Sequence, residues 1–270
     1  MRRGLWWWLA CTVTIGLVVL VLSPVLTVVT IALMAACGIG PDGSPWLTGR
    51  DEILGLHAYG YLLTHYGSWL LFSLALAVGS VLVCLAVAVP AAWGLIRHPF
   101  PGSRWVEQAA ALPLSLPGLA VSVGLVAAFP AVRGPWLVFA GHLLFTIPFM
   151  LRVTLDALRG YDLIAWERAS ASLGADAWRH AVWVVLPNLR HALVTGSLLV
   201  FAVSWGEFNV SYLLNHGRVQ TFPAALYDTF ANDGLPLAAA ATVLFLVVVI
   251  PVSLGVQILG RGRTAVEQGA

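Results

Sequence analysis

Lysine is absent from this chain: all 14 of its basic residues are arginine. A phosphate-binding loop of the Gly-x-x-x-x-Gly-Lys-Ser/Thr kind needs that lysine to reach the phosphates, so this chain does not build one. Charge of either sign is scarce, at 10% of residues, against about 25% in an ordinary soluble domain. A net charge of +2 is too small to argue for nucleic acid. The three cysteines, Cys11, Cys37 and Cys84, show no paired spacing, so neither a disulfide framework nor a thiolate metal site follows. The seven histidines show no metal-ligand spacing either.

What is abundant is apolar sequence, 60% of the chain. It comes in runs of about 20 residues, the length that spans a bilayer core. Six such segments stand out, roughly 8–34, 67–96, 107–129, 136–155, 192–214 and 236–259. Backbone groups in lipid have to be satisfied within the segment, so each is read as a helix. The fold class expected is all-α, a polytopic membrane protein of six transmembrane helices. One transmembrane domain covering 1–270 is the simplest parse, because no repeat of 20–50 residues is visible. Arg2 and Arg3 ahead of an apolar run resemble a signal peptide. The run continues to about Met34 without a small-residue cleavage site, which favours a retained first helix.

Pro113 and Pro117 in the third segment read as kinks, serving either packing or a bent helix beside a pathway. Orientation follows from the arginines. With both termini inside, 11 arginines lie on the cytoplasmic side and Arg50, Arg133 and Arg218 outside. The reverse topology inverts the positive-inside rule.

That orientation places a long polar loop, about 156–190, in the cytoplasm. Ala169 and Leu173 are four apart and share a helix face. Trp166 and Ser170 adjoin it. Small residues at Ala169, Ser170 and Ala171 let a short helix lie close to another surface. Gly174 suits a helix C-cap and Asp176 an N-cap for the next helix, and Pro187 marks re-entry toward the membrane. A plainer reading is an interfacial amphipathic segment with Trp178 and Trp183 at headgroup depth.

The spacing of Ala169, Gly174, Val184, Leu186 and Pro187 resembles the cytoplasmic signature of type I ABC importer permeases, Glu-Ala-Ala, three residues, Gly, nine residues, an aliphatic residue, any residue, Leu-Pro. Ser170 stands at the second Ala, and Leu173 and Ala175 fit the usual Leu-Gly-Ala core. Arg168 stands where that family has Glu, with Glu167 one position earlier. Adjacent helical residues point about 100° apart, so Glu167 does not simply take over the contact. His191 stands where many members have proline. Ala91 to Arg97, Leu112 to Gly118 and Gly206-Glu207-Phe208-Asn209 also resemble family segments, and the resemblance covers a core of about 66–259. It is nearest the polyamine, phosphonate and iron branches.

The resemblance implies two ATP-binding cassette subunits that bind ATP and Mg, a second permease subunit that is a copy or a paralogue, and an extracytoplasmic substrate-binding protein. It implies that the short loop helix, Glu167, Arg168, Ala169, Ser170, Leu173, Gly174 and Ala175 with Leu186 and Pro187, couples to the ATPase. It places the chain in a bacterial inner membrane as a transport subunit with no cofactor or metal of its own and no catalytic residue. The cargo order it suggests is polyamine or a related amine, then aminoalkylphosphonate, then ferric iron or thiamine, then an inorganic oxyanion. Glu207 and His142 are ionisable residues at membrane depth, where such groups usually face a bundle interior or a water-filled cavity. They are candidates for the cargo pathway or, alternatively, structural hydrogen-bonding groups. Two other classes compete. A secondary transporter would show coupling-ion sites and internal symmetry. An intramembrane enzyme would need a nucleophile–base pair, and Ser204 and His142 are single candidates without a motif.

Overall fold

The computed structural model describes residues 57–132, 134–214 and 220–267, together with scattered positions of 12–34. Every described element is a helix. They are α1 (His57–Arg97), α2 (Ser103–Ala111), α3 (Gly118–Ala128), α4 (Pro135–Arg159), α5 (Leu163–Ser172), α6 (Ala177–Arg179), α7 (Leu186–Trp205), α8 (Asn209–Leu214), α9 (Phe222–Asp228) and α10 (Leu235–Glu267). A 3₁₀ turn, Leu112–Ser115, follows α2; π-helical turns, His180–Val185 and Thr229–Asp233, precede α7 and α10.

Among the described residues four helices are long and apolar enough to cross a membrane: Ala58–Arg97, Pro135–Arg159, Ala177–Trp205 and Leu237–Leu259. A fifth crossing exists if the bent pair Ser103–Ser115 and Gly118–Ala128 counts as one. Of the expected first helix at 8–34, positions 8–11 and several further positions lie outside the described residues. Those of its positions that are described are helical.

Three expected boundaries change for local reasons. Pro113 and Pro117 do not kink a continuous third helix; they break it, and the chain bends by 104° between the two arms. Pro117 removes a backbone donor and pushes Leu116 into extended backbone (φ −96°, ψ 143°), which ends the 3₁₀ turn. The fifth span starts earlier than expected and stops at Trp205 rather than running to 214. The loop re-enters the bundle well before Pro187, through α6 and the π turn. That turn lies just ahead of Pro187, whose ring would otherwise crowd the carbonyl four residues back. The second helix begins at His57 and has 41 residues, about 60 Å, twice the hydrocarbon thickness.

Backbone proximity divides the chain into two units, residues 1–67 with 225–247, and residues 68–224 with 248–270. In the first, the Tyr66 hydroxyl reaches Asp228 Oδ2 at 2.9 Å and Asp233 Oδ2 at 3.1 Å, tying the start of α1 to the π turn. In the second, α4 and α7 pack along most of their lengths. One cluster joins Cys84, Ala88 and Ala92 of α1 to Met150, Leu155 and Leu158 of α4 and Leu189, Ala192 and Val200 of α7. A smaller one joins Leu76, Leu137, Val138, Val210 and Leu214. Small residues permit this closeness, as expected where lipid supplies no hydrophobic drive between helices. A Cβ on Gly196 would stand 2.9 Å from Met150 Sδ.

Candidate functional site

The short helix of the loop forms where the sequence places its caps. Asp162 Oδ1 accepts from the Ala165 N–H at 3.0 Å and starts α5. At the other end Gly174 sits at φ +79°. Its N–H bonds the Ala171 carbonyl at 2.9 Å, and the Ala175 N–H bonds the Ser170 carbonyl at 3.0 Å. This is a Schellman closure, which requires the left-handed backbone that glycine adopts without strain. Asp176 Oδ1 then accepts from the Arg179 N–H at 2.8 Å and starts α6.

The two faces of α5 differ. Leu163 and Ser170 are buried, and Glu167 lies between them on the same inward face. Ser170 Oγ is 2.8 Å from His180 Nδ1, which fastens α5 to the π turn leading into α7. Glu167 Oε2 is 2.6 Å from a guanidinium nitrogen of Arg97, the last residue of α1. The Trp93 ring tilts against the His180 ring with centroids 5.9 Å apart. The outward face carries Ile164, Ala165, Arg168, Ala169 and Ser172, all exposed, and Leu173 beyond them is 88% exposed. Glu167 and Arg168 therefore divide the work: Glu167 holds the segment to its own bundle, and Arg168 faces away from it.

The foot of the bundle is pinned by a second ion pair. Arg159 at the end of α4 donates to both carboxylate oxygens of Glu107 on α2, at 2.6 and 2.7 Å. A cavity of about 400 Å³ opens here, lined by Arg97, Arg159, Tyr161, Asp162 and Leu163 among others. None of the long-range ties Glu167–Arg97, Ser170–His180 and Arg159–Glu107 was evident from sequence, since their partners lie on separate helices. Asp162 did have a signal, an Asx residue directly before an apolar helical pattern. Leu186 and Pro187 form the first turn of α7 and are exposed, and Ala175 is half-buried.

The His142 side chain and the backbone carbonyl of Glu207 belong to one polar chain. His142 is 1% exposed and bridges two serines, Nδ1 at 2.8 Å from Ser204 Oγ and Nε2 at 2.9 Å from Ser211 Oγ. Ser211 Oγ donates to the Glu207 carbonyl at 3.3 Å. The network then assigns the tautomer: Nε2–H donates to Ser211, and Nδ1 accepts from Ser204. Ser80 Oγ lies 3.3 Å from Ser204 Oγ and completes the chain. Four segments, α1, α4, α7 and α8, are thereby joined by satisfied hydrogen bonds. The Ser204–His142 contact has nucleophile–base distance. With Ser204 3% exposed, however, its oxygen lies inside the packed unit.

Glu207 is not within a helix. It lies in the turn after Trp205, and its Oε1 accepts from the Val210 N–H at 2.8 Å, capping α8. Glutamine keeps that oxygen acceptor, so Glu207→Gln is expected to leave detergent thermal stability within about 2 °C, while Glu207→Ala lowers it by several degrees. Equal losses in both variants would show that charge, rather than capping, is what α8 needs.

A bundle with apolar spans, a broken third span and a capped helical segment at its arginine-rich end is the architecture of a membrane permease domain. The family of binding-protein-dependent transport system inner membrane components matches residues 84–264, and the chain belongs to it. The molybdenum transport system permease protein ModB of Escherichia coli K12 is 30% identical over 207 residues, covering 68% of this chain and 88% of that protein. The spermidine/putrescine transport system permease protein PotC of the same strain is 24% identical over 200 residues, 73% of this chain and 75% of that one. A putative 2-aminoethylphosphonate transport system permease protein, PhnV of Salmonella paratyphi A, is 24% identical over 211 residues, 73% and 78%. A chain of the MetNI methionine ABC transporter in an inward-facing form shares the fold, with TM-score 0.60 at 15% identity over 74% of this chain and 97% of that one. The chain is thus a membrane-embedded permease subunit of an ABC importer, and its relatives are transport proteins rather than enzymes.

Proposed function

We propose that this permease forms the cargo pathway with a second permease subunit and is driven by two separate ATPase subunits that dock on α5 and the Gly174 turn. The observation that carries this reading is the two-faced α5. Its outward face is small and exposed, while its inward face is fastened by Glu167–Arg97 to α1 and by Ser170–His180 to the start of α7. A displacement of α5 by a partner is transmitted directly to two membrane helices. ATP and Mg are held by the partner; this chain supplies docking and transmission. An extracytoplasmic binding protein delivers cargo. His142 and Glu207 act on the pathway indirectly, by holding α7 and α8 in register. Co-purification with the ATPase from a shared operon, and its loss in variants of the outward face, tests the reading.

For cargo, a small inorganic oxyanion of the molybdate kind has the most support, because the permease 30% identical to this chain is a molybdenum transporter. Polyamine and aminoalkylphosphonate, favoured by the sequence reading, are the second choice and rest on relatives 24% identical. Solute binding by the partner binding protein, measured with molybdate, spermidine and 2-aminoethylphosphonate, separates them.

The proposed topology has six spans with both termini in the cytoplasm of an inner membrane, from the arginine asymmetry. A cysteine introduced at Ser44, which lies outside the described residues, is expected to react with an impermeant thiol reagent in intact cells. A cysteine at the exposed Ser172 is expected to react only after permeabilisation. Labelling of both from one side would overturn the topology.

A further inference from the structure

We propose that the ATPase docking on this chain presents an acidic side chain to Arg168, a contact of opposite sign to one in which the permease provides the carboxylate. The inference rests on the docking function proposed for α5. Arg168 is exposed, and among the described residues it has no ion-pair partner. Its neighbours on the outward face are Ile164, Ala165, Ala169 and Ser172, none of them acidic.

The one adjacent carboxylate, Glu167, is turned inward and held by Arg97 at 2.6 Å. It is therefore not available either to neutralise Arg168 or to serve as the docking carboxylate. A guanidinium on the face that seats in a partner is desolvated when the partner closes on it. Burying it without a counter-charge costs far more than docking through small residues gains. A carboxylate in the partner's groove resolves this, and the planar fork of arginine favours a bidentate contact. Small residues on either side of Arg168 leave room for that contact.

The test uses the full complex of permease and ATPase, co-expressed and purified in detergent. Arg168→Glu is expected to weaken ATPase retention at least about tenfold, the effect of losing a charge-assisted hydrogen bond and adding like-charge repulsion. Arg168→Lys is expected to retain most of it. Permease yield is expected to stay unchanged, because among the described residues Arg168 has no ion-pair partner in its own chain. Replacing one groove Asp or Glu of the ATPase by Arg is expected to restore binding to the Arg168→Glu permease.

Leu173→Asp separates the two claims. If Leu173→Asp releases the ATPase and Arg168→Glu does not, the charge inference is overturned and docking stands. If neither releases it, the docking function itself fails. A contact of Arg168 with anionic lipid instead would appear as normal ATPase retention combined with altered partition into phosphatidylglycerol vesicles, and would also overturn the proposal.

Discussion

Gly141→Leu is expected to prevent assembly of a stable permease, with little monodisperse protein recovered in detergent. Gly141 lies on α4 where α3 and α8 converge. A Cβ there would collide with Val210 Cγ1, and Leu214 Cδ1 and Leu125 Cδ1 would stand 3.4 and 3.5 Å away. Val210 is fully buried and β-branched, so it has no alternative rotamer into which to retreat. Overpacking of this kind costs about 1–3 kcal/mol for a few added atoms. A leucine adds more than that and also displaces α8 from His142, whose bond to Ser211 depends on the same approach. Gly141→Ala is expected to fold with a melting temperature lower by several degrees. Thermal unfolding and size-exclusion profiles of the two variants check this. A well-behaved Gly141→Leu protein would mean that α4 and α8 are not in close contact.

Gly174→Trp is expected to leave membrane insertion and yield intact while uncoupling ATP hydrolysis from transport. No atom lies within 4 Å of a Cβ built at Gly174, so bulk alone does not unfold the chain. The backbone there is at φ +79°, however, and a side chain in that region costs about 1–2 kcal/mol. The Schellman closure is expected to open, freeing the carbonyls of Ser170 and Ala171 and fraying the end of α5 that carries Leu173. The indole would also stand on the docking face. Asparagine tolerates this backbone, so Gly174→Asn is expected to keep most coupling. Transport and ATP hydrolysis measured together in proteoliposomes decide the matter, and wild-type coupling in Gly174→Trp would refute the proposed docking at this turn.

The C-cap of the loop helix and the N-cap of the helix after it were legible because they are local. Gly174 and Asp176 act within a few residues of themselves, and their chemistry is visible in any window that contains them. The family signature was legible for the same reason, as fixed offsets along one strand of sequence. The breaks in the third and fifth spans were not. Hydropathy runs unbroken through Pro117 and past Gly206, so apolar length alone extends a helix that the backbone ends. The direction of Glu207 was equally hidden, since a carboxylate bonded to a backbone N–H three residues on reads in sequence as an isolated charge in an apolar run.

Composition and the length of the apolar runs alone pointed to a helical membrane chain, because lipid forces backbone satisfaction within each segment. The gapped signature alone established its permease character, and the absence of lysine ruled out a phosphate loop in this chain. Only the tertiary structure decided which of two adjacent charges faces outward. A helix turns about 100° per residue. The packing of Leu163 and Ser170 against α1 and the π turn sets which side is inward. That packing commits Glu167 to Arg97 and leaves Arg168 outside. It also decided that His142 and Ser204, 62 residues apart in the chain, meet inside the bundle, since the close approach of α4 and α7 through small residues is a property of two helices together and of neither alone.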